Sequence, residues 1–169
     1  MKYLLGYPPT IQDQVQQLIS QGRLGERLQK TYGTVHGIRT DRALYHYVMG
    51  LKNQYLRSAE PLNKVAFDSK LHVIAHALGT HTTLSRVQGS KLKSKREIRI
   101  ASLFKDVPIE FLKMISVHEL AHMREKAHDK AFYQLCTYIE PNYHQIEFDL
   151  RLYLTHLDVA GKLDWAAVR

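Results

Sequence analysis

His118, Glu119 and His122 stand in the order H-E-x-x-H, and His128 follows six residues after the second histidine. On a helix, histidines at i and i+4 share one face and can converge on a single cation, with the intervening glutamate beside the water that the cation activates. These residue types imply the chemistry of a zinc hydrolase: neutral ring nitrogens as ligands, a fourth position open for water, and Glu119 as general base. A lone histidine on an apolar face is ordinarily a hydrogen-bonded core residue. The three-histidine constellation favours a ligand set holding one Zn²⁺ per chain.

A helix must position them. Pro108 stands at a first helical position, and Phe111, Leu112, Ile115 and His118 follow at helical spacing. Phe111, Ile115, His118 and His122 fall at i, i+4, i+7 and i+11, so the histidines prolong a core-facing stripe. His128 cannot share that face on an unbroken helix, because six residues turn about 600° and leave it about 120° away. A break near Lys126–Ala127 is therefore required. Asp129 then serves as N-cap of a new helix with Phe132, Leu135, Cys136 and Ile139 as its apolar face. Cys136 reads as a small core residue.

Glu147, on the apolar stripe Tyr143, Glu147, Leu150 and Leu154, competes with His128 as third ligand. It otherwise suits a partner that holds a ligand imidazole in its tautomer. Tyr143 and His144, after Pro141, are candidates for the donor that stabilises a developing oxyanion, with packing at a helix start as the alternative for Tyr143.

The remaining chain reads as α+β: N-terminal helices, a small, mostly antiparallel sheet packed on the H-E-x-x-H helix, then C-terminal helices. Thr10 caps a first amphipathic segment that stops near Gly22, and Asp41 opens another bearing Leu44, Val48, Leu51 and Tyr55. Short β-leaning runs follow at Lys64 to Phe67, Leu71 to Ile74, Thr80 to Val87 and Glu97 to Leu103, separated by Asp68-Ser69 and Gly89-Ser90 turns. Helix resumes through about Leu157. His72 and His76, in a strand-and-turn stretch, read as ordinary polar residues.

The 169 residues, 44% of them hydrophobic, suit a single domain spanning 1–169. No apolar run reaches membrane-spanning length, the segment before Gly6 is too short for a signal peptide, and there is one cysteine. A cytoplasmic protein is expected. Net charge is +8 and lies entirely upstream: residues 1 to 109 carry 17 Lys and Arg against 7 Asp and Glu, residues 110 to 169 carry 7 against 9. The densest cations are Lys91, Lys93, Lys95, Arg96 and Arg99, with Arg86 on the preceding strand. They form either a solvated hairpin tip or a surface for an anion such as nucleic acid or nucleotide phosphates. GSKLKSKR lacks the spacing of a Walker loop.

The run VHELAHMREKAHDKAFYQLCTYIEPNYHQIEFDLRLYLT, with TLSRVQGSKLKSKREIRIA and LYHYVMGLKNQYLR upstream, resembles the YgjP-like members of the zincin metallopeptidase group, relatives of SprT-like and WLM proteins. The resemblance implies a compact zincin-like domain with a small sheet on the H-E-x-x-H helix. It also implies His118, His122 and His128 as zinc ligands and Glu119 as base. Three departures matter. The pattern's Arg-x-Gly-Ser-Cys stretch here runs Arg86-Val87-Gln88-Gly89-Ser90-Lys91, without the cysteine. The four-cysteine ribbon of many SprT-like proteins is absent, since Cys136 stands alone. Glu125 replaces the glycine that metzincins carry after the second histidine.

The leading expectation is a zinc metallopeptidase acting on peptide or protein. A metal-dependent phosphohydrolase, acting as a nucleoside triphosphate pyrophosphatase, is the second. A zinc-containing nucleic-acid-binding domain is the third, and Glu119 argues against it because a structural site needs no base.

Overall fold

The computed structural model describes residues 1–71 and 96–166. Six helices carry most of that chain: α1 (Pro9–Ser20), α2 (Leu24–Tyr32), α3 (Asp41–Tyr55), α4 (Ile109–Ala121), α5 (Lys130–Ile139) and α6 (Tyr143–Ala160). Among the described residues, two strands, β1 (Lys64–Asp68) and β2 (Glu97–Ala101), lie between α3 and α4. This is the expected α+β order.

The strand pair differs in one respect. Lys64 to Asp68 pair with Glu97 to Ala101 in parallel register, Lys64 opposite Glu97 and Asp68 opposite Ala101. Parallel neighbours need a crossover of a dozen or more residues, and the stretch joining β1 to β2 is long enough to supply it. The antiparallel expectation had placed tight turns between successive strands. The runs Leu71 to Ile74 and Thr80 to Val87, the Gly89-Ser90 turn, His72 and His76 lie wholly or almost wholly outside the described residues.

Local sequence explains most helix ends. Pro9 occupies the first turn of α1 behind Pro8, so Thr10 lies inside the helix and is not its cap. Gly22, at φ +65°, ends the α1 turn, with the Arg23 N–H reaching back to the Leu18 carbonyl at 2.8 Å. Thr40 caps α3 by accepting the Ala43 N–H at 3.1 Å, one residue before the expected start. Helix α2 has no counterpart in the sequence reading. It packs on α6 through Gly25, where a Cβ would stand 2.8 Å from His156 Cε1.

Helix α4 is the centre of the molecule. It is buried on every side, through Phe111, Leu112, Met114, Ile115, Ser116, Val117 and Leu120, and not along one stripe as an amphipathic helix would be. It contacts β2, α3, α5 and α6. The tail beyond α6 closes this core: Trp165 packs against Phe111 and Tyr153, and Ala166 bridges to Thr34. A side chain fixed between so many elements has little freedom to swing, which suits α4 to carry ligands. Among the described residues, no helix is long and apolar enough to cross a membrane.

Candidate metal centre

Helix α4 ends at Ala121, with His122 as its C-cap, four to five residues before the break expected at Lys126–Ala127. The chain then turns through Glu125, whose N–H bonds the Ala121 carbonyl at 2.9 Å. Asp129 restarts it as N-cap of α5, its Oδ1 accepting the Phe132 N–H at 3.0 Å. Between the two helices His128 swings back onto the face of His118 and His122.

The result is a triangle of Nε2 atoms. His118 to His122 is 3.2 Å, His122 to His128 is 3.0 Å, and His128 to His118 is 3.3 Å. Four ligands placed tetrahedrally at about 2.0–2.1 Å from a zinc ion lie about 3.3–3.4 Å from one another. The three nitrogens therefore match one face of such a tetrahedron to within a few tenths of an ångström, and they fit a divalent cation. His118 and His122 are buried and His128 is half-buried. Of the His, Cys, Asp and Glu side chains in the described residues, these three alone form such a group.

Each ring is braced. The Nδ1 of His122 lies 2.8 Å from the Glu125 carbonyl, which only accepts, so that nitrogen carries the proton and Nε2 keeps its lone pair. The Nδ1 of His118 lies 2.7 Å from the Tyr143 hydroxyl. Phe132, fully buried, touches all three imidazoles with centroid distances of 5.0, 4.4 and 4.9 Å. Burying such a ring contributes about 1.5–3 kcal/mol. The same packing walls the cation position off from bulk water.

Glu119 is 8% exposed, and burial pushes its carboxyl up to about 8. A cation beside it opposes that shift by favouring the carboxylate. With His122, Glu119 lines a small cleft whose other walls are Leu62, Arg96, Glu97, Ile98 and Met123. Arg96 is held there by Glu60, Nε to Oε2 2.7 Å, and by the Met123 carbonyl at 2.6 Å from Nη1. One anchor thus ties strand β2 to the turn after α4.

The other expected residues fall differently. Tyr143 is fully buried with its hydroxyl behind His118, so it does not face the cleft as an oxyanion donor would. Glu147 pairs with Arg151 at 3.2 Å on α6, and it is His128 that joins the triangle. His144 is exposed and packs on Tyr133, centroids 5.3 Å apart. Arg99 is bound to Asp68 at 2.9 Å and Glu97 at 3.2 Å, so its charge is neutralised on the sheet. Arg86, Lys91, Lys93 and Lys95 lie outside the described residues. Phe132, the Glu125 carbonyl and the cleft walls Leu62 and Met123 were not expected. Phe132 had been placed only on an apolar face, and a backbone carbonyl leaves no trace in residue type.

Comparison with known proteins points the same way. Residues 62–153 match the family described as YgjP-like, metallopeptidase domain. A protein of Escherichia coli (strain K12) named UTP pyrophosphatase is 56% identical over 159 residues, covering 94% of this chain and 95% of that relative. No solved structure matches.

Proposed function

Because the chain belongs to the YgjP-like family and is a hydrolytic enzyme, we propose that it is a zinc-dependent pyrophosphatase of nucleoside triphosphates, with UTP the first candidate substrate. The carrying observation is the convergence of three Nε2 atoms, 3.0 to 3.3 Å apart, with His122 lining the same cleft as Glu119. The substrate class follows the 56% likeness to a UTP pyrophosphatase over nearly both full chains.

His118, His122 and His128 would hold the ion. When bound there, zinc acidifies a coordinated water and polarises a phosphoryl oxygen. Glu119 takes the proton of the attacking water, and its near-complete burial keeps bulk water from competing for that proton. Arg96 in the cleft wall, its charge balanced by Glu60, offers guanidinium N–H donors to the phosphates. Lys91, Lys93 and Lys95 precede Arg96 in the sequence and are further candidates for phosphate contacts. Attack at the α-phosphorus breaks the bond to the bridging oxygen and gives nucleoside monophosphate and pyrophosphate. Pyrophosphate departs as a stabilised anion and asks less of a general acid than a leaving amine does.

The metallopeptidase reading keeps one specific support: residues 62–153 match a family described as a metallopeptidase domain, and the same base and ligands suit attack on a carbonyl. Tyr143, one of its two expected oxyanion donors, is buried behind His118 and does not face the cleft. The deciding experiment offers the zinc-loaded protein UTP, CTP, ATP and GTP in parallel with peptides and an unfolded protein. Nucleotide turnover without proteolysis supports the proposal. Proteolysis without nucleotide turnover overturns it.

A further inference from the structure

Two guanidiniums converge on the short stretch between α3 and β1. Arg96, in the wall of the cleft shared by Glu119 and His122, places Nε 2.7 Å from the Glu60 carboxylate. Arg124, next to the cleft residue Met123, reaches the Ser58 hydroxyl at 3.4 Å. Among the described residues Arg124 has no carboxylate partner, so Glu60 alone offsets the two cations. The cleft measures about 20 Å³, room for about one water. A phosphate group has to take the place of something in its wall.

The two halves of the Arg96–Glu60 pair are held unequally. The Arg96 side chain is 28% exposed, and its Nη1 donates to the Met123 carbonyl at 2.6 Å. Its backbone N–H donates to Asn63 Oδ1 at 3.1 Å, and its carbonyl accepts the Asn63 N–H at 2.9 Å. The Glu60 side chain is 60% exposed. Only that side chain is loose, because the Ala59 N–H bonds the Leu56 carbonyl at 3.1 Å and the Ala59 carbonyl accepts Lys52 Nζ at 3.3 Å. Glu60 can therefore rotate into water while Arg96 stays in the cleft wall. Its departure costs little, since so exposed a pair contributes little to stability. The guanidinium edge it leaves has planar donors that fit two phosphate oxygens at once.

We propose that Glu60 is a displaceable counter-ion: it occupies the Arg96 guanidinium until a polyphosphate chain exchanges with it and gains Arg124 as a second contact. Glu60 is a positioning residue that acts through Arg96, and it sets how strongly an anion must bind to enter. The assignment rests on the pyrophosphatase reading of the cleft and names the residues that receive the phosphates.

The test titrates zinc-loaded protein with inorganic tripolyphosphate at low salt, followed by calorimetry. The variants are Glu60→Gln, Arg96→Gln, Arg124→Gln and the double variant Glu60→Gln/Arg96→Gln, with Glu26→Gln on α2 as the control for net charge. Thermal melts confirm folding. Glu60→Gln should bind about 3- to 10-fold more tightly than the parent, and the control within about twofold of it. Arg96→Gln and Arg124→Gln should bind more weakly. In the Arg96→Gln background the gain from Glu60→Gln should vanish, because no guanidinium is left to free. The ¹⁵Nε signal of Arg96 should differ between parent and Glu60→Gln and converge once both are saturated with tripolyphosphate. Unchanged or weaker binding in Glu60→Gln, as a merely structural brace predicts, would overturn the exchange, and so would a gain that persists without Arg96. If the parent leaves UTP intact while the tripolyphosphate pattern holds, the pyrophosphatase reading fails and the exchange stands.

Discussion

The backbone carbonyl of Glu125 accepts the Nδ1–H of His122 at 2.8 Å, three residues after that histidine caps α4. The turn that ends the helix thus also sets the ring's tautomer. Geometry and protonation arise from one local fold, and Arg96 fastens that turn to β2 through the Met123 carbonyl at 2.6 Å.

The first prediction is one tightly bound zinc per chain in protein purified with metal. Elemental analysis should show its loss in His118→Ala, His122→Ala and His128→Ala and its retention in Glu147→Ala, since Glu147 pairs with Arg151. Retention in His128→Ala together with loss in Glu147→Ala would show that the third ligand is wrong.

Glu119→Gln separates chemistry from metal binding. The amide keeps the shape of the buried side chain but accepts no proton, so zinc content and melting temperature should hold while turnover falls roughly 10² or more. Equal turnover in parent and variant would remove Glu119 as the base.

Asp129 links a cap to the metal. Replacing it with Ala deletes the bond to the Phe132 N–H and should cost about 1 kcal/mol of stability, a drop of roughly 2–4 °C in Tm for a chain of this size. Because the same cap places His128 and Phe132, zinc affinity should fall too. A variant that melts lower yet binds zinc like the parent would show that His128 is positioned by something else.

These residues mark what was legible beforehand. The H-E-x-x-H spacing fixed a ligand pair, and Asp129 followed by Phe132 marked a helix start, so the break and the return of His128 could be read. The parallel register of β1 and β2 could not, because side-chain alternation looks the same in either direction. Tyr143 was legible in part: its position after Pro141 gave a helix start with a packing role, as found, but only packing against α4 and α5 decides which face of His118 it meets. The Glu125 carbonyl was invisible, since every residue carries one.

Acid should weaken the fold through His36. Its Nδ1 accepts the Ile38 N–H at 2.9 Å, its Nε2 donates to the Phe104 carbonyl at 2.6 Å, and burial lowers its pKa below the ordinary value of 6.5. The unfolded chain therefore binds the proton more readily. The contribution is complete above pH 6.5 and is lost as pH falls through the lower folded value. His36→Gln, which does not titrate, should show a flatter fall in stability below pH 6.5 in denaturant melts, and parallel curves for parent and variant would contradict this.

The central claim is that the histidine triangle and Glu119 hydrolyse the triphosphate of a nucleotide. Its most direct measurement is product analysis of UTP incubated with zinc-loaded protein in ¹⁸O-labelled water. The account predicts UMP and pyrophosphate in equal amounts with the label in UMP, no products after chelation, and recovery when zinc is restored. Intact UTP with folded, zinc-loaded protein, or product formation that survives both chelation and Glu119→Gln, would contradict it.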